Sequence, residues 1–198
     1  MKNTENDTDL FSSVIAVTNR RLCARPFPEQ IERVCRLHPK GLIVREKDLT
    51  EAEYARLFCQ VMEICDRYQV PCICHTYIQT AKDAGCRQIH LPLPLLKSLS
   101  ASGKLEGFDT IGVSVHSASE AADAEKLGAA YVTAGHIFQT DCKKGLPPRG
   151  LKFLKEVCHS VRIPVYGIGG IRADKEQLEL LKKNGAAGGC IMSGMMRI

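Results

Sequence analysis

TIGVSVHSASEAADAEKLGAAYVTAGHIFQTDCKKGLPPRG, residues 110–150, holds a whole structural unit followed by a polar loop. TIGVSVH (110–116) and AAYVTAG (129–135) are short β-branched apolar runs of the kind that form buried strands. Between them, SASEAADAEKLG (117–128) opens on a capping Ser117, repeats small apolar residues at three- and four-residue spacing and closes on Gly128. Two strands joined by a helix of that length lie parallel. After Gly135 the second strand breaks into a loop with His136, Thr140, Asp141, Cys142, Lys143 and Lys144. So many polar side chains at the end of a buried strand mark a site rather than a connector.

The same alternation runs from residue 13 to the end. Further strands are expected at 13–18, 41–45, 71–75, 88–91, 164–169 and 188–194, which makes eight. Amphipathic stretches at 29–37, 50–68, 77–85, 149–161 and 173–185 separate them, with a short helix at Leu93 to Leu99. Thr50 caps one of these helices, and Gly85 and Gly185 close others. Eight strands with intervening helices point to an α/β protein of the (β/α)8, or TIM-barrel, class, with an open doubly wound sheet as the rival. The chain stops seven residues after Ile191. No helix is therefore expected after strand eight: either the sequence is shortened there or another surface, as in a homodimer, covers the gap.

At 198 residues, with 44% hydrophobic and 25% charged residues, the chain supports one core, and one domain is expected over 1–198 with a flexible extension at 1–12. The polar start MKNTENDTDL and the lack of any bilayer-length apolar run argue for a cytoplasmic protein without a membrane partner. The net charge of +5 comes from cations interleaved with acids, as in ADKEQLELLKK, so nucleic acid is not an expected partner. None of the ten cysteines forms a C-x-x-C pair, and Cys59, Cys65, Cys72, Cys74, Cys158 and Cys190 fall in apolar-periodic segments. They read as reduced, mostly buried thiols, and no metal site is expected.

Reactive groups of such barrels gather at the C-terminal ends of the strands. Strand two ends in Arg45, Glu46 and Lys47, strand five in Ser114 and His116, and strand six in His136, Thr140 and Lys143. GIGGIRAD (167–174) and MSG (192–194) then provide Gly169, Gly170, Ser193 and Gly194, whose backbone amides suit a phosphate cradle. Arg45 suits a second anion, since a guanidinium grips a carboxylate or phosphate with paired hydrogen bonds, and Lys143 or Lys144 adds charge. His136 is the candidate catalytic residue because an imidazole, with a reference pKa near ~6.5, takes and returns protons near neutrality. His75 and His90 read as buried structural histidines.

REK (45–47), IGVSVHS (111–117), GHIFQTDCKKG (135–145), IGGI (168–171) and MSG (192–194), in this order, resemble the thiamine-phosphate-synthase superfamily of barrels over nearly the whole chain. Within it the loop after strand six is most similar to the TenI-type thiazole tautomerases. The resemblance implies a cofactor-free isomerase of thiamin biosynthesis that converts a carboxylated thiazole phosphate into its aromatic tautomer through His136. Synthases of the superfamily carry an Asn-Asp pair after strand three and a His-Leu-Gly-Gln-Glu-Asp run after strand four, whose aspartates hold magnesium for the leaving pyrophosphate. Here those segments read His75-Thr76 and HLPLPLL (90–96). The synthases usually have proline at the place of His136, while Ser114 and Lys143 match positions that contact anionic groups, and Cys142 replaces a threonine. Thiamine phosphate synthesis is the alternative activity, and a non-catalytic regulator that binds thiazole phosphates is a third reading.

Overall fold

A computed structural model describes residues 10–140, 143 and 145–198. Its strands are β1 (Val14–Val17), β2 (Gly41–Val44), β3 (Cys72–His75), β4 (Gln88–Pro92), β5 (Thr110–Val115), β6 (Tyr131–Gly135), β7 (Val165–Ile168) and β8 (Gly188–Ile191). Each pairs in parallel with the next, and β8 closes on β1 through Val14 opposite Gly189. The expected (β/α)8 barrel is thus formed, and the open-sheet alternative is excluded.

The helices that follow the first seven strands are α1 (Phe27–Cys35), α2 (Glu51–Arg67), α3 (Ile78–Asp83), α4 (Leu93–Leu99), α5 (Ala118–Lys126), α6 (Gly150–Ser160) and α7 (Lys175–Lys183). Thr50 begins α2 with a reciprocal cap: it accepts from the Glu53 amide at 3.4 Å while Glu53 Oε2 accepts from the Thr50 amide at 2.9 Å. Ser117 caps α5 by accepting from the Glu120 amide at 3.0 Å, while Glu120 Oε2 accepts from the His116 amide. The apolar stripes of the helices and the outward faces of the strands share one large buried cluster. Inside the barrel a smaller one joins Ile15, Val17, Ile43, Ile73, Tyr131, Tyr166 and Cys190.

Three details differ from expectation. Phe11 belongs to the main core at 7% exposure, so an extension over 1–12 would end before it. Cys59 is exposed, because it lies next to Phe58 on α2 and that helix turns Phe58 to the core and its neighbour outward. Among the described residues no helix follows β8, but the gap expected there is partly filled: Met195 and Met196 are fully buried, and Gln30 Nε2 on α1 donates to the Met195 carbonyl at 2.7 Å. The chain's own last turn thus packs against α1. No helix of the described residues is long and apolar enough to cross a membrane.

Candidate functional site

A closed parallel barrel brings every strand's C-terminal end to one rim, so Arg45, Lys47, Ser114, His116, His136, Thr140, Gly169, Gly170, Ser193 and Gly194 surround a common mouth. Lys143 is exposed beyond β6, and Asp141, Cys142 and Lys144 lie outside the described residues.

On the side formed by β2, β3 and β4, a cavity of about 270 Å³ is lined by Glu46, Lys47, Tyr54, His75, Thr76, Tyr77 and Pro92. Glu46 turns inward, with Oε1 accepting from Thr18 Oγ1 at 2.7 Å and the Arg20 amide at 3.0 Å, and Oε2 accepting from Arg20 Nη1 at 2.9 Å. Arg20 also grips Asp48 with two bonds of 2.7 Å. This acid fastens the β1 and β2 loops and leaves Arg45 and Lys47 to the opening. Neither of those cations has an ion-pair partner among the described residues. Their field reaches His75, whose pKa is lowered to about 3 by burial first and then by Arg45 and Lys47. Partial burial and Arg45 likewise lower the Lys47 ammonium.

Tyr54 links this wall together: its hydroxyl donates to the Val44 carbonyl at 2.7 Å and accepts from the His75 amide at 3.0 Å. Thr76, a β-branched residue held at φ +73°, shares a 2.7 Å hydrogen bond with His75 Nδ1. That backbone region is costly for such a side chain, and strain of this kind gathers at ligand sites. Tyr54 does not stand out in the sequence, and Thr76 is legible there only as part of the segment that lacks the synthases' Asn-Asp pair. The only signal for Glu46 was an acid lodged between two cations.

Across the mouth, the β6 and β7 loops lean together. Phe138 N donates to the Gly169 carbonyl at 2.9 Å, and a Cβ on Gly170 would lie 2.4 Å from the Gln139 carbonyl oxygen. Gly169 and Gly170 sit at φ +93° and +69°. The amides of Gly169, Gly170, Ser193 and Gly194 donate to no group among the described residues, which leaves them available to an oxyanion. His116 Nδ1 donates to the Gly135 carbonyl at 3.0 Å, which fixes the ring against β6. His136 is 6% exposed, packs against Gly169, and has no hydrogen-bond partner for either ring nitrogen among the described residues.

The carboxylates that hold magnesium in the synthases have no counterpart in this geometry. No three described His, Cys, Asp or Glu side chains are placed to hold a metal ion. The ends of β3 and β4 present His75, Thr76 and Pro92, and the oxygens of Glu46 and Asp48 are taken by Arg20, Arg21 and Thr18. The described residues therefore do not fit a carboxylate-held magnesium ion.

Fold and site define a parallel (β/α)8 barrel whose rim carries cations on one side and free amide cradles on the other. The chain belongs to the thiamine monophosphate synthase family, which it matches over residues 14–195. It is 32% identical over 187 residues, 91% of its own length and 86% of the other, to thiamine-phosphate synthase 2 of Streptococcus pneumoniae serotype 4. Thiamine-phosphate synthase of Syntrophomonas wolfei is 30% identical across 93% of this chain and 88% of the relative. Among solved structures, thiamine phosphate pyrophosphorylase of Pyrococcus furiosus superposes with a TM-score of 0.78 at 25% identity, covering 96% and 89% of the two chains. These relatives correct the expectation of an isomerase. They are named as synthases, which are transferases, so the tautomerase reading, drawn from the loop after strand six, from His136 and from the missing magnesium aspartates, gives way to its synthase alternative. Its weakness was to set a few local departures against a chain-wide likeness.

Proposed function

We propose that this chain is a transferase of the thiamine-phosphate synthase type, joining a pyrimidine diphosphate to a phosphorylated thiazole with release of pyrophosphate. The observation that carries this reading is the 32% identity to thiamine-phosphate synthase 2 across 91% of the chain. In such a reaction the pyrimidine carbon loses its bond to the diphosphate oxygen, the bonding pair leaves with pyrophosphate, and the thiazole supplies the pair for the new bond.

The rim suits those two anions. Arg45 and Lys47, beside the cavity, would meet the charge that grows on the leaving diphosphate, which is where fixed cations lower a barrier. Gly169, Gly170, Ser193 and Gly194 would take the thiazole phosphate, with Ser114, His116, Thr140 and Lys143 around the ligands. The unpartnered nitrogens of buried His136 are best satisfied by a ligand group, since such atoms are costly to leave unpaired.

A second reading is a phosphate-binding protein without turnover, favoured by the lack of magnesium carboxylates among the described residues. The test is to supply both substrates with and without magnesium and to follow pyrophosphate release and thiamine phosphate by chromatography. Equal amounts of both products support the transferase. Substrate binding without either product favours the second reading, and neither binding nor product overturns both.

A further inference from the structure

Strand register sets up a polar chain that climbs from inside the barrel to its mouth. His90 on β4, Gly112 on β5 and Tyr131 on β6 stand in one row, and Pro92, Ser114 and Thr133 form the row two residues nearer the C-terminal ends. Gly112 is what lets the first row interact. A Cβ at that position would lie 2.1 Å from Tyr131 Cζ and 2.3 Å from its hydroxyl oxygen, so the phenol crosses β5 only because β5 has no side chain there. Tyr131 OH thereby comes to 3.1 Å from His90 Nδ1, while His90 Nε2 lies 2.8 Å from Ser114 Oγ. Thr133 Oγ1 donates to the same Ser114 oxygen at 3.3 Å.

Counting protons fixes the direction of this chain. Tyr131, His90 and Thr133 are all buried, at 7%, 3% and 1% exposure. The phenol's hydrogen-bond partner among the described residues is His90 Nδ1. Were Nδ1 protonated, the imidazole would donate to the phenol oxygen and the phenol proton would be left buried without an acceptor. With Tyr131 donating to Nδ1, every group is satisfied: the single proton of the neutral imidazole resides on Nε2 and is donated to Ser114. The ring is neutral because burial, and then His75 and Arg45, lower its pKa to about 3. Ser114 Oγ then accepts two hydrogen bonds, from Nε2–H and from Thr133, and its own proton is free. Ser114 is half-buried at the mouth, so that proton is offered to whatever the mouth binds.

We propose that Tyr131 and His90 are positioning residues that lock Ser114 as a hydrogen-bond donor toward a phosphoryl-type anion at the barrel mouth. The choice of anion rests on the synthase reading; the direction of the relay does not. A serine held in this way accepts nothing further from the ligand, and so discriminates for acceptor-rich oxyanions over donor groups.

Long-range proton–nitrogen spectra of the full chain labelled with ¹⁵N test the relay without any ligand, using His90→Gln to assign the signals. Between about pH 5 and pH 8, His90 should show a protonated Nε2 and a bare Nδ1; a proton on Nδ1 would overturn the proposal. Tyr131→Phe, which keeps the ring and removes the donor, should turn this into a mixture of tautomers, and an unchanged spectrum counts against the relay. Titration calorimetry with inorganic pyrophosphate reads the consequence. Tyr131→Phe and Ser114→Ala should each weaken affinity roughly tenfold, the worth of one hydrogen bond. The double variant should bind no more weakly than Ser114→Ala alone, whereas additive losses, or a wild type that binds no pyrophosphate, would overturn the role assigned to Ser114. An intact relay and non-additive binding in a protein that forms no thiamine phosphate would defeat the synthase reading and leave this one standing.

Discussion

Glu46 illustrates how a single buried acid can serve a site that it does not enter. Its oxygens accept from Thr18, the Arg20 amide and the Arg20 guanidinium, which brings two loops into one frame beneath Arg45. Thr18 Oγ1 in turn accepts from the Arg45 amide at 2.9 Å. Glu46→Ala leaves the Thr18 hydroxyl and the Arg20 amide without their acceptor and the Arg20 guanidinium with Asp48 alone, and should lower stability by about 3 kcal/mol in urea unfolding. Two histidines supply a separate signature. His75 and His90 have folded pKa values of about 3, well below the ordinary imidazole value, because burial disfavours the charged ring. The unfolded chain takes up these protons first as pH falls, so their effect on stability is absent above about pH 6.5 and grows as pH drops toward 3. Stability measured across that window should fall with a slope approaching two protons, and His75→Gln should reduce it to nearer one. Asp48 adds to the loss at the acid end: its bond to Arg20 holds its pKa at about 2, so the stabilisation it gives above about pH 4 disappears as pH approaches 2.

The β7 and β8 loops are defined by backbone conformation and close approach rather than by side chains. Gly170 combines a positive φ with an approach that a Cβ would close to 2.7 Å from Phe138 Cβ and 2.4 Å from the Gln139 carbonyl. Gly170→Ala should therefore part the β6 and β7 loops, cost at least ~1–2 kcal/mol of stability in urea unfolding, and weaken phosphate binding measured by calorimetry. Gly85→Ala has the same backbone cost with nothing within 4 Å of the added carbon, and should leave phosphate affinity unchanged. At this scale the sequence was informative because the signals are local. The strands follow β-branched runs, Thr50 and Ser117 cap helices where cap residues are expected, and the glycine loops stand directly after strands. What stayed hidden depends on register between distant segments. Gly112 reads as an ordinary strand glycine until Tyr131 is seen lying across it, and His90 joins Ser114 only through the stagger of β4 against β5. Cys59 was placed on the wrong side for a related reason, since the periodicity of a long helix does not say which of two adjacent residues meets the barrel.

For the molecule as a whole, two observations pull against each other: the chain resembles synthases over 91% of its length, yet where they carry metal-holding carboxylates it has His75-Thr76 and a Leu-Pro run, and its described rim holds no metal cluster beside the unpaired cations Arg45 and Lys47. The exchange alters the electrostatics of the mouth. A rim built to hold a divalent cation is negative before the ion arrives, whereas Arg45 and Lys47 make this side positive and, after burial, are the next causes of the lowered pKa of His75. A protein of this kind should attract anions before it attracts cations. Manganese, followed by its paramagnetic resonance signal as a stand-in for magnesium, should find no site on the free protein tighter than about 1 mM. Pyrophosphate should bind in the presence of a chelator, and its affinity should fall as salt is raised, because the cations that hold it are exposed enough to be screened. Arg45→Gln with Lys47→Gln should remove most of that salt dependence while leaving the barrel folded, since neither side chain has a partner among the described residues. A tight manganese site on the free protein would instead assign the metal to ligands beyond those described here, and would restore to this chain the charge balance of its synthase relatives.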